Sequence, residues 1–276
     1  MNALLALAAS ALWGTSDFGG GLMSRRLDAS AAVLISQALA LAGLLALFPF
    51  LAVPVGPYLL AGGAAGVVAT LSLAAFYRAM ATAPMSLVAP ITAAGTAIPV
   101  VVGMLRGEQL SALKLAGIAV TLTGIVLASG PELRSGAPVR RQALGFAIGA
   151  AVGFGVAYTL LAFAAGSGVY GTLLAQRIGG LLVLTPIVAR ARILRGIQLT
   201  ARRLGALALI GGCDITANGS YALAASHGNL SVAAVLASLY PVVTALLARG
   251  ILLERLRPVQ SVGVLAALGG VLLLGS

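Results

Sequence analysis

Long apolar runs, separated only by short polar or Pro/Gly segments, follow one another along the whole chain. A helix needs about 20 apolar residues to cross roughly 30 Å of hydrocarbon, and each run is of that order. A strand of a membrane barrel would instead alternate apolar and polar positions. The pattern therefore predicts ten membrane-spanning helices, at Ala3–Met23, Ala29–Val53, Tyr58–Ala81, Leu87–Leu105, Ala112–Ser129, Leu144–Ala165, Val169–Ala189, Leu204–Ser226, Leu230–Arg249 and Pro258–Leu274.

The composition agrees with an integral membrane protein and excludes several other classes. Of the 276 residues, 60% are hydrophobic and 8% are charged, whereas about 25% of residues are charged in an average soluble protein. A basic patch for nucleic acid needs a solvated face, so the net charge of +11 does not indicate nucleic-acid binding. One cysteine and one histidine exclude an internal disulfide and a Cys- or His-rich metal site. We expect no metal and no cofactor.

The distribution of basic residues predicts the orientation of the chain. When the predicted spans are numbered in order, fourteen of the 17 Lys and Arg residues fall on one face of the membrane and two, Arg106 and Lys114, on the other. The remaining one is Arg177. By the positive-inside rule, the Arg-rich loops are cytoplasmic and both termini lie outside. The predicted location is the inner (plasma) membrane of a bacterium.

An internal repeat divides the chain. The same Glu-x8-Gly-x6-Gly pattern runs over Glu108, Gly117 and Gly124 and again over Glu254, Gly263 and Gly270. Each half has five spans, an odd number, so the second half would enter the membrane in the opposite orientation, as in secondary transporters. The predicted units are a repeat at 1–130, a charged cytoplasmic linker at 131–142 and an inverted repeat at 143–276. Chance similarity between Gly- and Ala-rich helices is the alternative.

These features together resemble a known family. The "LWG" of the first span (Leu12–Gly14), the twin Glu-Gly-Gly patterns and Pro241 in "LASLYPVVTALLARGILLE" are similar to the EamA-type branch of the drug/metabolite transporter superfamily. The resemblance covers the whole chain. It implies a basket-shaped bundle of ten helices around a central cavity, alternating access, and export of amino acids, metabolites or toxic cations. It does not name the substrate.

Three charged residues lie deep within predicted spans, at bilayer depth, and such residues are default candidates for function. With a rise of about 1.5 Å per residue, Arg177 lies roughly 12 Å, Asp214 roughly 16 Å and Asp17 roughly 21 Å from the Arg-poor face. Arg177 and Asp214 are predicted to pair, since consecutive spans are often neighbours. In one interpretation this pair only orients two helices. In the other, Arg177 receives a substrate carboxylate, and Asp17 or Asp214 holds an ammonium group or a coupling proton.

Polar and aromatic residues at similar depths extend this candidate site. Asp214, Asn218 and Tyr221 share one helical face because they are four and three residues apart. Trp13 lies one turn before Asp17 and is placed in the cavity rather than in an interfacial belt. The predicted substrate-binding residues are Trp13, Asp17, Gln37, Tyr77, Arg177, Asp214, Asn218, Tyr221 and Tyr240. Pro90, Pro99 and Pro241 are predicted hinges; passive kinks are the alternative.

The sequence predicts a secondary transporter that exports small metabolites. Amino acids are the favoured substrates, in particular large or aromatic amino acids. The alternative is a proton-coupled exporter of drugs or organic cations. No catalytic Ser-His-Asp or Cys-His set and no phosphate-binding loop is present, so an enzyme or an ATP-driven pump is not expected. The expected partners are a small-molecule substrate and membrane lipid, with proton coupling left open. Both repeats are in one chain, so we expect it to act as a monomer.

Overall fold

Helices account for nearly all of the regular structure in the computed structural model, which describes residues 1–51, 53, 55–83, 88, 91–128, 141–195, 197–252 and 258–275. No strand occurs among these residues, so the all-helical class is confirmed. The helices are α1 (Asn2–Ser24), α2 (Ala29–Leu47), α3 (Tyr58–Thr82), α4 (Ala97–Leu105), α5 (Ala112–Ala128), α6 (Arg141–Ala165), α7 (Val169–Arg190), α8 (Ala201–Ser226), α9 (Leu230–Ala237), α10 (Tyr240–Leu252) and α11 (Pro258–Gly275).

Five helical stretches in the described part of the chain are long and apolar enough to cross a membrane. They are Ala29–Phe50, Tyr58–Thr82, Arg141–Ala165, Val169–Arg190 and Leu230–Leu247. Shorter apolar helices lie at Ile91–Leu105, Ala112–Ala128 and Pro258–Leu274. Helices α1 and α8 are long, but the polar residues along them lower their hydropathy. The chain is thus a multi-pass, membrane-embedded helical protein, while the count of ten spans stays a prediction.

Two predicted spans are interrupted. The ninth consists of α9 and α10, which are separated at Ser238 and Leu239, just before Pro241. In the fourth, a 3-10 turn at Ala94–Thr96 precedes α4, and Pro99 lies in the first turn of α4, where a proline is tolerated. Both interruptions come shortly before a proline that the sequence singled out. The predicted hinge Pro90 lies outside the described residues.

Local capping explains where several helices begin. Asp28 accepts hydrogen bonds at the start of α2 from the backbone N–H groups of Ser30 (2.8 Å) and Ala31 (3.3 Å). Glu108, which follows α4, accepts from the N–H groups of Leu230 (2.5 Å) and Ser231 (3.1 Å) at the start of α9. A carboxylate at a helix N-terminus accepts hydrogen bonds from the free backbone N–H groups. It also interacts favourably with the positive end of the helix dipole. Glu108 therefore connects the two halves of the chain.

Glycines allow close contacts between helices, as small residues do in membranes. A Cβ on Gly66 of α3 would overlap the backbone carbonyl of Gln176 in α7. In the same way, a Cβ on Gly117 of α5 would lie 3.1 Å from the carbonyl oxygen of Gly270 in α11, and one on Gly270 would lie 2.9 Å from that of Gly117. The glycines of the predicted repeat thus meet each other across one helix pair.

The predicted linker is only partly described. Its residues 131–140 lie outside the described residues, as does Glu254. The last two, Arg141 and Gln142, form the start of α6, and the division into two repeats and a linker stays a prediction. The charge of the predicted linker does not prevent Arg141 and Gln142 from forming helix, since Arg and Gln are both good helix formers.

Candidate functional site

A small buried cavity lies between helices of both halves, and we call it the charged cavity. Seven of the nine predicted binding residues line it, together with residues of α3, α6 and α7 that extend its wall. The lining residues are Trp13, Asp17, Gln37, Ala69, Leu73, Phe154, Tyr158, Gln176, Arg177, Asp214, Asn218 and Tyr240. The tertiary structure therefore collects most of the sequence candidates at one place, although their role in binding stays a prediction.

An ion pair between α7 and α8 dominates the charged cavity. Arg177 Nη2 lies 2.6 Å from Asp214 Oδ2, and the two side chains are 3% and 13% exposed. The structure thus contains the pair that the sequence predicted. A hydrogen-bonded pair of this kind is the usual way in which proteins accommodate buried charges, which accounts for an arginine in the apolar run of α7.

Three amide side chains complete the surroundings of Asp214. Gln37 donates a hydrogen bond to Asp214 Oδ2 (3.3 Å), and Asn218 donates to Asp214 Oδ1 (3.2 Å) and to its backbone oxygen (2.6 Å). Gln176 in turn donates to Asn218 Oδ1 (3.2 Å). Both carboxylate oxygens of Asp214 are therefore occupied, and the network fixes its position.

Asp17 has a different environment. Its side chain is 8% exposed and lines the same cavity from α1. Among the residues that the structure describes, it makes neither an ion pair nor a hydrogen bond through its side chain. The Arg177–Asp214 pair is neutral as a unit, so Asp17 is a buried carboxylate without a compensating cation in this part of the chain.

Further polar atoms in the cavity wall lack partners within the described part of the chain. They are Arg177 Nε, Gln37 Oε1 and Gln176 Oε1. Buried polar atoms are nearly always hydrogen-bonded in native proteins, to protein groups or to ordered water. One donor and two acceptors beside an ion pair are the groups that a small polar ligand would need.

Stacked aromatic rings form the rest of the wall. The ring centroids of Trp13 and Tyr158 are 4.6 Å apart, and those of Phe154 and Tyr158 are 5.6 Å apart with an interplanar angle of 3°. Phe154, Tyr158 and Gln176 are not among the residues that the sequence predicts for the site. Tyr158 is a tyrosine in the interior of a predicted span, like Tyr77 and Tyr240, so the same criterion would have found it.

Two predicted binding residues do not line the charged cavity. Tyr77 is fully buried beside Phe76, and a Cβ on Gly20 would overlap its ring. Tyr221 is also fully buried and lies behind Trp13, with ring centroids 5.6 Å apart. Tyr77 thus fills space between α1 and α3, whereas Tyr221 lines a second cavity on the other side of Trp13.

The second cavity, which we call the hydroxyl cavity, adjoins the first. Its lining residues are Trp13, Thr92, Thr96, Pro99, Phe154, Tyr158, Tyr221, Ala234, Ala237, Ser238 and Tyr240. Both interrupted spans contribute to it. The hydroxyl of Tyr240, at the start of α10, lies 3.0 Å from that of Thr92, which links the second interruption to the first half of the chain.

Both cavities are small in this conformation. The charged cavity has a volume of about 20 Å³ and the hydroxyl cavity about 10 Å³. A single water needs about 10–15 Å³, and pockets for small molecules are about 300–1,000 Å³. A metabolite therefore requires the surrounding helices or rings to move.

Comparison with known proteins agrees with this architecture. No curated protein matches the chain, whereas 26 chains of known structure match it. One protein of known crystal structure is 19% identical, has a TM-score of 0.72, and covers 99% of this chain and 98% of its own; at this identity the likeness concerns the fold alone. The model of the EamA-like transporter family matches residues 141–276. This match over residues 141–276 indicates a membrane transporter of small molecules of the EamA-like type.

Proposed function

We propose that this transporter exports small zwitterions, above all amino acids, by alternating access. The observation that carries the proposal is the charged cavity, in which a buried Arg177–Asp214 pair and the unpaired Asp17 lie within one small space. An amino acid has one carboxylate and one ammonium group. A cavity with a guanidinium and a free carboxylate offers each of them a complementary partner.

Arg177 is the proposed receptor of the substrate carboxylate. A guanidinium has five N–H donors, and the pair with Asp214 uses Nη2. Its Nε has no partner among the described residues. A carboxylate can therefore bind Arg177 without displacing Asp214, which Gln37 and Asn218 hold in place.

Asp17 is the proposed partner of the substrate ammonium. Its charge is buried without a described counter-ion, which is costly in a low-dielectric environment. An ammonium group at the cavity would remove that cost. The stacked rings of Trp13 and Tyr158 add an apolar surface for the substrate's carbon atoms.

The proposed transport cycle uses the two predicted repeats, residues 1–130 and 143–276, as moving units. The meeting of Gly117 with Gly270 across α5 and α11 supports a two-fold relation between them. The interruptions before Pro99 and Pro241 are the proposed flexible points, and movement there enlarges the two small cavities in the proposed cycle. We further propose Arg-rich loops in the cytoplasm of a bacterial cell, termini outside, and a functional monomer.

The second candidate is a proton-coupled exporter of organic cations. A specific observation favours it: Arg177 already has an anionic partner, so the charge left over in the cavity is the negative charge of Asp17. A monovalent cation, or a proton, would neutralise it. In this case Arg177 only holds α7 against α8.

Counterflow of radiolabelled amino acids in proteoliposomes tests the two candidates. Removing Arg177 alone leaves Asp214 unpaired, and breaking a buried pair is strongly destabilising. The decisive variant is therefore the neutral double replacement Arg177→Gln with Asp214→Asn, compared with Arg177→Lys. Folding of each is checked by size-exclusion chromatography.

The proposal predicts that the wild type exchanges amino acids and that the folded double variant loses at least 90% of this exchange. Amino-acid exchange retained by the double variant would overturn the role of Arg177. If the wild type exchanges no amino acid but takes up organic cations in response to a proton gradient, the second candidate is correct.

A further inference from the structure

The charged cavity and the hydroxyl cavity share one wall. Four aromatic residues line both of them, namely Trp13, Phe154, Tyr158 and Tyr240. Three of these rings are stacked, since the ring centroid of Tyr158 lies 4.6 Å from that of Trp13 and 5.6 Å from that of Phe154. We call the four residues the aromatic partition. A movement of these side chains would join the two spaces into one.

The chemistry of the hydroxyl cavity differs from that of its neighbour. No charged side chain is among the described residues that line it. They supply three aliphatic hydroxyls, from Thr92, Thr96 and Ser238, and the phenol groups of the tyrosines. The hydroxyl of Ser238 donates to the backbone oxygen of Val235 (2.8 Å). The cavity therefore suits an uncharged group with a flat face and at least one hydrogen-bonding atom.

Tyr221 supplies the second observation. Its side chain is fully buried and lines the hydroxyl cavity. Its hydroxyl has no hydrogen-bond partner among the described residues, although buried hydroxyls nearly always have one. A substrate group in this cavity can be that partner.

We propose that the hydroxyl cavity receives the substrate's side chain, and that the preferred substrates are amino acids with an aromatic side chain bearing a hydrogen-bonding group, such as a phenol. This inference rests on the proposed function, because the ammonium and carboxylate groups of the same molecule bind in the charged cavity. The ring of the side chain stacks within the aromatic partition, and its polar atom pairs with Tyr221. An aliphatic side chain would leave the Tyr221 hydroxyl without a partner. A short side chain with a hydroxyl group would lack the ring that stacks within the aromatic partition.

The chain offers a matched control for Tyr221. Tyr77 occupies nearly the corresponding position of the first predicted repeat, is equally buried, and also has a hydroxyl without a described partner. It lines neither cavity. Replacing each tyrosine by phenylalanine removes one buried hydroxyl and keeps the ring.

The experiment compares counterflow of L-tyrosine and L-phenylalanine in proteoliposomes of the wild type, Tyr221→Phe and Tyr77→Phe. A hydrogen bond to an uncharged group makes a difference of up to about ten-fold, so we expect the wild type to prefer tyrosine by about that factor. In Tyr221→Phe the ratio falls to about one while phenylalanine is still exchanged, and in Tyr77→Phe it stays as in the wild type.

Failure of this inference can be distinguished from failure of the proposed function. A tyrosine preference that is unchanged in Tyr221→Phe, with exchange intact, overturns the side-chain site alone. Absence of amino-acid exchange in the wild type overturns both proposals. Competition for exchange by the wild type provides a test without a variant. Tyrosine should compete better than phenylalanine, and phenylalanine better than leucine. If leucine competes as well as tyrosine, the inference is contradicted.

Discussion

Asp17 and Asp214 line the same buried cavity from α1 and α8, yet only Asp214 has a cationic partner among the described residues. Asp214 is held by Arg177, Gln37 and Asn218, so it belongs to the framework of the site. Asp17 is free to bind a group that enters the cavity. Two residues of the same type, in one cavity, should thus respond differently to the same substitution.

Replacement by asparagine separates the two carboxylates by their effect on stability. Asp214→Asn leaves the buried guanidinium of Arg177 unpaired, and loss of one partner of a buried pair costs about 3–5 kcal/mol. Asp17→Asn removes an uncompensated charge, so we expect its thermal unfolding temperature in detergent to equal or exceed that of the wild type. A lower unfolding temperature for Asp17→Asn than for Asp214→Asn would contradict this assignment.

The contact of Gly66 with Gln176 should be sensitive to a single methyl group. A Cβ on Gly66 would overlap the Gln176 backbone, and such overpacking costs about 1–3 kcal/mol. Because Arg177 is the next residue, Gly66→Ala should shift it and reduce amino-acid exchange.

Gly43 in α2 provides the control for this substitution, since a Cβ there meets nothing within 4 Å. Gly43→Ala should keep wild-type exchange and unfolding temperature, or raise the latter slightly, because alanine favours helix by about 0.5–1 kcal/mol. Equal losses of exchange in the two variants would show that the contact with α7 is not the cause.

Glu108 should stabilise the protein by capping α9. Loss of an N-cap acceptor costs about 1 kcal/mol, which corresponds to a decrease of about 2–4 °C in unfolding temperature for a chain of this size class. Glu108→Ala should show this full decrease. Glu108→Gln keeps an oxygen acceptor and loses only the favourable charge–dipole term, so its decrease should be smaller. Identical unfolding temperatures for all three proteins would exclude the cap as a stabilising contact.

Trp13 should report substrate binding directly. It is the single tryptophan of the chain and lines both cavities. Any ligand that moves the aromatic partition changes the surroundings of its indole, so we expect substrate to shift the intrinsic fluorescence in a saturable manner. The Arg177→Gln, Asp214→Asn double variant should lose this response. A response of equal size in that variant would place the binding elsewhere.

The amide network shows where sequence reasoning ended. Asp214 and Asn218 are four residues apart on one helix, so their hydrogen bond could be expected from spacing alone. The position of Gln176 next to Arg177 gives no sign that both side chains reach the same site, because neighbouring residues in a helix point in different directions. Only the packing of α7 against α8 shows that Gln176 reaches Asn218.

The helical class, the membrane location and the charged candidates followed from the sequence by itself, because each depends on local properties. An apolar run of about twenty residues forms a helix in a membrane whatever surrounds it, and a charge within such a run stands out without knowledge of its neighbours. The tertiary structure decided that Asp17 has no cationic partner among the described residues, that Tyr158 and Phe154 join the wall, and that Tyr77 does not. These outcomes depend on which helices pack together and on the rotation of each helix about its axis. Helices that are apolar on all sides have little polar periodicity, so their sequences determine neither the packing partners nor the rotation.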